Sequence, residues 1–463
     1  MVGAMSVPSR RSVLVVTLTG VAATSFPVTV LSASLPTVAD DLGTTDTTAA
    51  WVITAPLLAV AILTPMAGKL GDLYGHRRMY LLGFSGAAIM HLLTALSSNI
   101  GMLIVFRTLS QAVAATTGPA ALAIVMTVYQ GNERNKAMGW WGAVVSGSPA
   151  LGVVLGGPIV DWLGWQWLFV IQGVISLTAV AAAVPILPTT GRRREVHFDI
   201  PGALTLGAGV GATLFSLNRG PTWGWSSPAI LIGLVVGPVL LALFTRVERR
   251  AIEPLLPPEI VRQTKVLLLL ASQLLTQAAY MGAFVLTPFL LERLFGYGTT
   301  GISLIMIGRP LAFSAAAALS GTYAIRFRAS TIVAASVTVI AAALLLTGVG
   351  ASFESLGLII AGMIGTGFGM GFGRPVMITQ VAAAVTDHDL GVASGTFQMV
   401  VQFGAAIGIS TLTTIVGDSD SPTRFLNVFA LASAIAVVSA VVGWSALSRQ
   451  PDPVDAAAAA TSA

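Results

Sequence analysis

The sequence predicts an all-α membrane protein that crosses the bilayer many times, and three observations carry this prediction. Of its 463 residues, 55% are hydrophobic and 9% are charged, whereas a soluble protein carries about 25% charged residues. Long apolar runs recur along the whole chain. The basic residues between these runs fall mainly on one side of the membrane that the runs would define. A polytopic membrane protein is therefore the expected class.

About fourteen apolar runs have the length that a membrane span requires, about 20 residues. Because backbone groups in hydrocarbon must be hydrogen-bonded within their own segment, each run is expected to be a helix. We number the spans 1–14 in chain order. They lie near residues 12–35, 50–68, 79–97, 101–128, 137–159, 166–187, 200–217, 227–246, 265–291, 299–323, 329–350, 355–380, 390–416 and 425–447.

The distribution of lysine and arginine orients these spans. Nineteen of the 24 basic residues fall on the side that also holds both termini. The opposite side holds Arg219, Arg293 and Arg424, whereas Arg107 and Arg309 lie inside spans. Since short loops rich in basic residues stay in the cytoplasm, we predict a plasma-membrane protein with both termini in the cytoplasm.

Composition also limits the chemistry. The pI is near 9.9, but the bases follow the membrane topology and so do not indicate nucleic-acid binding. The chain has no cysteine and four histidines, which excludes disulfides and thiolate metal sites. No span groups His, Asp and Glu as metal or acid–base chemistry requires. We therefore expect no metal, no cofactor and no enzyme activity, and we expect a monomer in the lipid bilayer.

The chain divides into two comparable halves. Spans 1–6 (residues 1–190) and spans 9–14 (residues 251–450) correspond to each other, as in transporters built from repeats. Residues 191–250 then form an inserted helix pair, spans 7 and 8, with a flanking loop. The alanine-rich tail, residues 451–463, is expected to be disordered.

A charged segment with regularly placed glycines lies between spans 2 and 3. Glycines in this position let helices approach closely, and the last of them permits a tight turn. The segment resembles the loop between helices 2 and 3 of the major facilitator superfamily, which implies a latch that stabilises one conformation of a transporter. A turn with ordinary positive-inside residues is the alternative. The latch residues are Gly68, Gly71, Asp72, Gly75, Arg77 and Arg78.

Other segments resemble, in the same order, the fourteen-helix drug/proton antiporters of that superfamily. This resemblance implies two six-helix bundles plus two inserted helices, alternating access, and coupling to protons. The segments are Trp165–Phe169 at the start of span 6, Phe198–Leu204 before the inserted pair, Thr222–Trp225 between its helices, and Gly391–Gly395 with Gln402–Gly408 in span 13.

Glycines are also concentrated in spans 5 and 12. Span 5 contains a motif that consists of Gly147, Gly152, Gly156, Gly157 and Pro158. Gly152 and Gly156 share a helix face, which allows close packing against another helix. In the antiporters that the chain resembles, this segment packs the two halves together on the outer side; plain helix packing is the alternative. Five alternating glycines in residues 365–373 predict that span 12 is pliable.

Candidates for coupling to protons are few. All nineteen acids lie in loops or at span ends, and Glu292 and Asp161 are the nearest to the membrane interior. A carboxylate can carry a proton where burial favours its neutral form. His91 titrates in the right range, but span 3 is expected at the periphery of the fold, so a packing role is the alternative.

Candidates for substrate contact are two arginines and four glutamines. An arginine inside a bilayer costs about 2.5–3.5 kcal/mol and usually faces a cavity. Arg107 and Arg309 are therefore candidates, with snorkelling or pairing to backbone carbonyls as the alternatives. The glutamines lie on spans expected to face a cavity, and hydrogen bonding between helices is their alternative role. They are Gln273, Gln277, Gln398 and Gln402.

These features predict a secondary active transporter that exports small amphipathic compounds by alternating access, with protons as the coupling ion. Positive charge without an acid inside the spans predicts a neutral or anionic cargo. An uptake transporter or an uncoupled facilitator is one alternative. A membrane sensor or assembly subunit that does not transport is another, although such a protein would not need the glycine-rich packing surfaces.

Overall fold

The computed structural model describes residues 9–25, 27–129, 155–189, 199–252, 263–323, 327–382 and 390–448, with isolated positions between these ranges. Every regular element in this part of the chain is a helix. Eleven of its helical stretches are long and apolar enough to cross a membrane. The predicted fold class, an all-α polytopic membrane protein, is therefore confirmed. The tail at residues 451–463 lies outside the described residues.

The helices are labelled in chain order. They are α1 (Arg10–Ser25), α2 (Pro27–Asp41), α3 (Asp46–Ala49), α4 (Trp51–Tyr74), α5 (His76–Ala95), α6 (Ile100–Ala114), α7 (Thr117–Val128), α8 (Gln166–Ile186), α9 (Ile200–Trp223), α10 (Pro228–Glu248), α11 (Thr264–Phe295), α12 (Thr299–Met306), α13 (Gly308–Tyr323), α14 (Ala329–Ser352), α15 (Leu356–Ala382), α16 (Leu390–Val416) and α17 (Pro422–Leu447).

Three predicted spans are each divided into two helices. Span 1 corresponds to α1 and α2, span 4 to α6 and α7, and span 10 to α12 and α13. Prolines account for two of these breaks, because proline has no N–H and cannot continue the helical hydrogen-bond ladder. Pro119 cannot donate to the carbonyl of Ala115, and Pro310 cannot donate to the carbonyl of Met306. The helix axis therefore changes direction inside spans 4 and 10.

Span 5 is described only in part. Residues 155–163 are helical and lead directly to α8. Since most of residues 130–154 lie outside the described residues, the count of fourteen spans stays a prediction.

Many helix contacts join helices of the same half, and the division of the chain into domains stays a prediction. In the first half, α5 packs against α6 and α8, and α1 packs against α7 and α8. In the second half, α14 packs against α15 and α17, and α11 packs against α16 and α17. The inserted helices α9 and α10 pack against each other, and α9 also contacts α4 and α16. The inserted pair therefore lies where α4 of the first half meets α16 of the second.

The glycines of α15 are packing residues on two faces of the helix. A Cβ on Gly367 would overlap the carbonyl oxygen of Arg309 in α13, and one on Gly371 would overlap that of Phe313. On another face, a Cβ on Gly369 would lie 2.6 Å from the carbonyl oxygen of Ser336 in α14. Helix α15 is therefore wedged between α13 and α14, so close packing explains glycines that the sequence attributed to pliability.

The segment between spans 2 and 3 is mostly helical, which corrects the prediction of a loop. Helix α4 continues to Tyr74, and α5 begins at His76. The single residue between them is Gly75, with φ +94° and ψ +129°. Its N–H donates to the carbonyl of Gly71 at 2.9 Å, and its carbonyl accepts from Met79 at 3.1 Å. The backbone hydrogen bonds of both helices therefore continue up to Gly75, and this single residue forms the turn.

Replacing Gly75 with alanine is expected to lower the free energy of unfolding by about 1–3 kcal/mol, because an L-residue rarely adopts this positive φ. Thermal unfolding of the purified protein in detergent measures the effect. Gly211→Ala in α9 is the matched control, since open space surrounds its added methyl group and alanine favours the helix by roughly 0.5–1 kcal/mol. Equal melting temperatures for Gly75→Ala and the unaltered protein would contradict the prediction.

Candidate functional site

A cavity of about 310 Å³ lies between the two halves. Helices α4, α6 and α7 of the first half form most of its wall, and α16 of the second half closes it. The volume is at the lower end of the range for small-molecule sites. The lining residues are Val52, Ile53, Pro56, Leu57, Val60, Thr64, Arg107, Gln111, Ala114, Ala115, Thr117, Gly118, Pro119, Gln398 and Gln402.

The shape of the cavity follows from the sequence of two spans. Along α4 the lining runs from Val52 to Thr64, a rise of about 18 Å at 1.5 Å per residue, and is mostly apolar. On the wall formed by α6 and α7, Ala115, Gly118 and Pro119 line the cavity at the break between the two helices. Small side chains and a bent backbone leave room there for a ligand.

Arg107 supplies the positive charge of this cavity. Its side chain is 2% exposed, and its guanidinium carbon lies 5.8 Å from the ring centroid of Phe169 in α8. Its Nε and Nη1 atoms are buried and have no hydrogen-bond partner among the described residues. Arg107 therefore faces a small-molecule cavity, as predicted for a substrate-contact candidate, with hydrogen-bond donors that nothing in the described chain satisfies.

The second half contributes two of the predicted glutamines. Gln398 and Gln402 are one helical turn apart on α16 and both line the cavity. The Nη2 atom of Arg374, in α15, donates to Oε1 of Gln398 at 3.1 Å. Because this bond occupies the amide oxygen of Gln398, its NH₂ group is left to donate into the cavity.

Gln111 was missed by the sequence analysis. It lines the cavity one turn after Arg107 on α6. The four-residue spacing that places two residues on one helix face was the signal that could have identified it.

Arg309 lies outside the cavity lining. Its Nη2 atom donates to the carbonyl of Tyr280 at 2.7 Å, and its guanidinium carbon lies 3.7 Å and 4.4 Å from the ring centroids of Tyr280 and Phe284. The aromatic faces and the carbonyl of α11 therefore enclose this cation. Backbone pairing, the alternative interpretation of Arg309, matches this geometry better than substrate contact, with the carbonyl of Tyr280 as the acceptor.

Gln273 and Gln277 lie inside the second half and do not line the central cavity. Gln273 is 1% exposed and borders a separate void of about 10 Å³, together with Thr276, Ser336 and Arg374. That volume holds no more than a single water molecule. Gln277 is buried against α16, where a Cβ on Gly404 would lie 3.1 Å from its Cβ.

His91 is a buried residue of the first half. It is 4% exposed, and neither ring nitrogen has a hydrogen-bond partner among the described residues. It is absent from the cavity lining. It nevertheless lies close enough to Arg107, a lining residue, to interact with it electrostatically.

A cluster of charges joins the two halves at the end of the helices that is predicted to be extracellular. We call Asp46, Arg293, Asp418 and Asp420 the outer charge cluster. Arg293, at the end of α11, pairs with Asp46 of α3 in the first half and lies 3.6 Å from Asp418. Its Nη1 atom also donates to the carbonyls of Gly417 and Ser419 at 3.2 Å and 3.0 Å. One cation at the end of α11 thus ties the loop at residues 417–420 of the second half to α3 of the first half.

Asp161 contributes to a second contact at the same end. Its Oδ2 atom accepts from the backbone N–H of Thr300 at 2.9 Å, in the first turn of α12, where the helix dipole favours an acid. Nearby, the hydroxyls of Thr37 and Thr299 lie 2.7 Å apart. Both bonds join the first half to the second. The other predicted acid, Glu292, is half-buried beside Arg293.

The glycine motif of span 5 lies beside this contact. A Cβ on Gly157 would lie 2.7 Å from Cα of Thr300 and 2.7 Å from Oγ of Ser303, so span 5 touches the backbone of α12 there. Gly152 and Gly156 are buried and Pro158 is half-buried. Gly147 lies outside the described residues.

The latch segment lies at the opposite, predicted cytoplasmic end. Nη2 of Arg77 donates to the carbonyl of Val184 at 2.6 Å. This carbonyl lies four residues before Pro188, which has no N–H to offer it. Gly71 is buried against His76, and Arg78 is exposed. The side chains of Gly68 and Asp72 lie outside the described residues.

A cavity of ligand size, lined by apolar residues and a few polar side chains and enclosed by membrane-length helices, is the arrangement expected of a polytopic membrane transporter. Comparison with known proteins agrees. The family model of the Major Facilitator Superfamily matches residues 17–309 and 269–462, and the chain belongs to this superfamily. The resemblance seen in the sequence is therefore confirmed.

Curated relatives cover almost the whole chain. It is 29% identical over 453 residues to the puromycin resistance protein pur8 of Streptomyces alboniger, covering 92% of this chain and 89% of that protein. It is 27% identical over 450 residues to the cephamycin export protein CmcT of Amycolatopsis lactamdurans, covering 92% and 91%. The solved POT family transporter PepTSo matches with a TM-score of 0.71 over 95% of this chain and 98% of that chain, at 14% identity. At that identity the structural likeness shows the fold alone.

Proposed function

We propose that this protein exports small amphipathic compounds across the plasma membrane by alternating access. The cavity between the halves carries the proposal, because it combines a mostly apolar wall on α4 with a few polar side chains from both halves. Such a lining suits ligands with an apolar body and one or two polar groups. A rocking motion of the halves about this cavity would expose it to one side at a time.

The contacts at the predicted outer end support this mechanism. The outer charge cluster, the Asp161–Thr300 bond and the Thr37–Thr299 bond all cross between the halves there. They would have to separate whenever the cavity opened outward. At the cytoplasmic end, the latch segment has the corresponding role of stabilising one conformation, and its Arg77 is bonded to α8. Both termini lie on that side.

The direction of transport is supported by the relatives. The names of two of these relatives describe resistance to puromycin and export of cephamycin. Protons are the coupling ion that the resemblance to drug/proton antiporters implies. The described lining of the cavity contains no acid, so a carboxylate that carries protons would lie outside it. This observation favours uncoupled facilitation as the second candidate.

Reconstitution into proteoliposomes tests the proposal. An imposed pH gradient, acidic on the side that corresponds to the cell exterior, is expected to drive a fluorescent amphiphile toward that side. Gly157→Val is the matched control, because its side chain would occupy the position of Thr300 and Ser303 and prevent the halves from closing.

The outcomes separate the candidate functions. Uncoupled facilitation predicts flux that follows only the gradient of the compound. A sensor or assembly subunit predicts no flux above that of empty liposomes, and this result would overturn the proposal.

A further inference from the structure

We propose that the central cavity binds an organic anion, whose acidic group pairs with Arg107 of the first half in a space that Gln398 of the second half also lines. This inference rests on the proposed function and names the class of its substrate. A carboxylate, sulfonate or phosphate attached to an apolar body has the required chemistry.

The first argument is that Arg107 is a buried cation whose Nε and Nη1 atoms have no hydrogen-bond partner among the described residues. A buried charge is costly unless a counter-charge or hydrogen bonds compensate for it. Two of its nitrogens are buried without a hydrogen-bond acceptor among the described residues. The undescribed part of span 5 cannot supply a carboxylate, because residues 134–154 contain no Asp or Glu. A bound anion would satisfy a guanidinium, which pairs well with two oxygens of one acid.

The second argument comes from the opposite wall. The bond from Arg374 to Oε1 of Gln398 leaves the amide NH₂ of Gln398 as a donor and places a second cation directly behind it. Both halves therefore present hydrogen-bond donors to the same space. The other polar groups that line it, among them Gln111 and Gln402, are neutral.

The third argument concerns the apolar part of the ligand. Val52, Ile53, Leu57 and Val60 form a continuous apolar strip along α4. A fully hydrated inorganic anion would gain nothing from this strip, whereas a hydrocarbon body gains roughly 25 cal/mol for each Å² removed from water. The site therefore selects an anion with a hydrophobic body over a small ion.

Binding of three pyrene probes to the full-length protein in zwitterionic nanodiscs tests the inference. Pyrenebutyrate is anionic, pyrenebutanol is neutral and pyrenebutyltrimethylammonium is cationic, while their apolar bodies are the same. We expect pyrenebutyrate to bind at least about tenfold more tightly than pyrenebutanol, since hydrogen bonds to a charged group contribute about 1.5–3 kcal/mol. The cation is expected to bind most weakly.

Arg107→Gln is expected to remove the preference for the anion, so that pyrenebutyrate binds no more tightly than pyrenebutanol. Gln398→Glu, which places a carboxylate in the cavity, is expected to reverse the preference. Arg309→Gln is the matched control, a buried arginine outside the lining, and should retain the preference. Arg249→Gln, at an exposed arginine after α10, replaces that control if Arg309→Gln fails to fold.

The outcomes are distinguishable. Equal affinity for the three probes would overturn the inference and leave the proposed function intact. Failure of all three to bind would overturn both. Retention of the anion preference by Arg107→Gln would also overturn the inference. Phosphatidylglycerol added to the nanodiscs distinguishes two sources of the anion. Weaker pyrenebutyrate binding would support the same anion chemistry and identify a lipid headgroup as one source of the ligand. Unchanged binding would support a soluble organic anion.

Discussion

Replacing Gly408 with valine is expected to prevent the second half from folding stably. Gly408 of α16 packs directly against the backbone of α11. A Cβ there would overlap the carbonyl oxygen of Ala278 and lie 2.5 Å from its Cα. Both atoms belong to backbone and cannot rotate away. The two helices would have to separate along a contact that also includes Gly282, whose own Cβ would lie 2.6 Å from the carbonyl oxygen of Gly408.

The expected size of this effect follows from the packing of membrane helices. Their association depends on close contact of small residues, because lipid is as apolar as the helices themselves. Overpacking a core costs about 1–3 kcal/mol and more where backbone must move, so little folded Gly408→Val protein should survive purification. Fluorescence-detected gel filtration and thermal unfolding measure this. Gly357→Val in the first turn of α15 is the control, since nothing lies within 4 Å of its Cβ. Similar behaviour of the two variants would contradict the prediction.

Replacing Arg293 with glutamine is expected to open the predicted outer end and to slow transport. Arg293 and Asp46 are only 13% and 15% exposed, so their ion pair is largely shielded from solvent. Loss of one partner from a buried pair costs about 3–5 kcal/mol, and with this residual exposure we expect about 2 kcal/mol. Such a change shifts the ratio of outward-closed to outward-open protein by about 30-fold.

Distance measurements across the outer end test this prediction directly. The chain has no cysteine, so Leu96→Cys in the first half and Phe353→Cys in the second, 75% and 76% exposed, are the only labelling sites needed. Arg293→Gln should lengthen the distance between spin labels at these positions. Asp420→Asn is the control, because that carboxylate is 80% exposed and 3.9 Å from Arg293, where an ion pair contributes little.

Exchanging the charges of Asp46 and Arg293 tests whether their pairing itself holds the outer end closed. The double variant Asp46→Arg with Arg293→Asp is expected to recover much of the short distance and of the transport rate, since opposite charges again face each other between the halves. Failure of the exchange to recover either quantity, together with an unchanged distance in Arg293→Gln, would show that the cluster does not hold the outer end closed.

Part of the site was predicted from the sequence, because single residues carried the signal. Arg107 is improbable inside a membrane unless it faces a cavity, and Gln398 with Gln402 share a helix face; all three line the cavity. The same argument was applied to Arg309, and there the cation lies against the aromatic rings of Tyr280 and Phe284 instead of lining the cavity. Only the contact of the Arg309 side chain with α11 distinguishes the two arginines.

The outer charge cluster could not be predicted from local pattern. Asp46 and Arg293 are 247 residues apart in the sequence, and each looks like an ordinary loop charge. The position of Arg293 among the few bases on the predicted outer side was the one available signal. From the sequence, the latch was predicted to be a loop, because charged residues near the membrane edge are typical of loops. They do not reveal that α4 continues to Tyr74 and that α5 begins at His76.

The amino-acid sequence by itself determined the class of protein and the approximate position of most spans, and it predicts a division into halves. These properties depend on hydropathy, on span length and on which side holds the bases, and all three are local or additive along the chain. The tertiary structure decided which polar side chains share one cavity, which of the two membrane-embedded arginines lines it, and where the halves are joined. Those properties depend on contacts between residues hundreds of positions apart, and only helix packing brings such residues together.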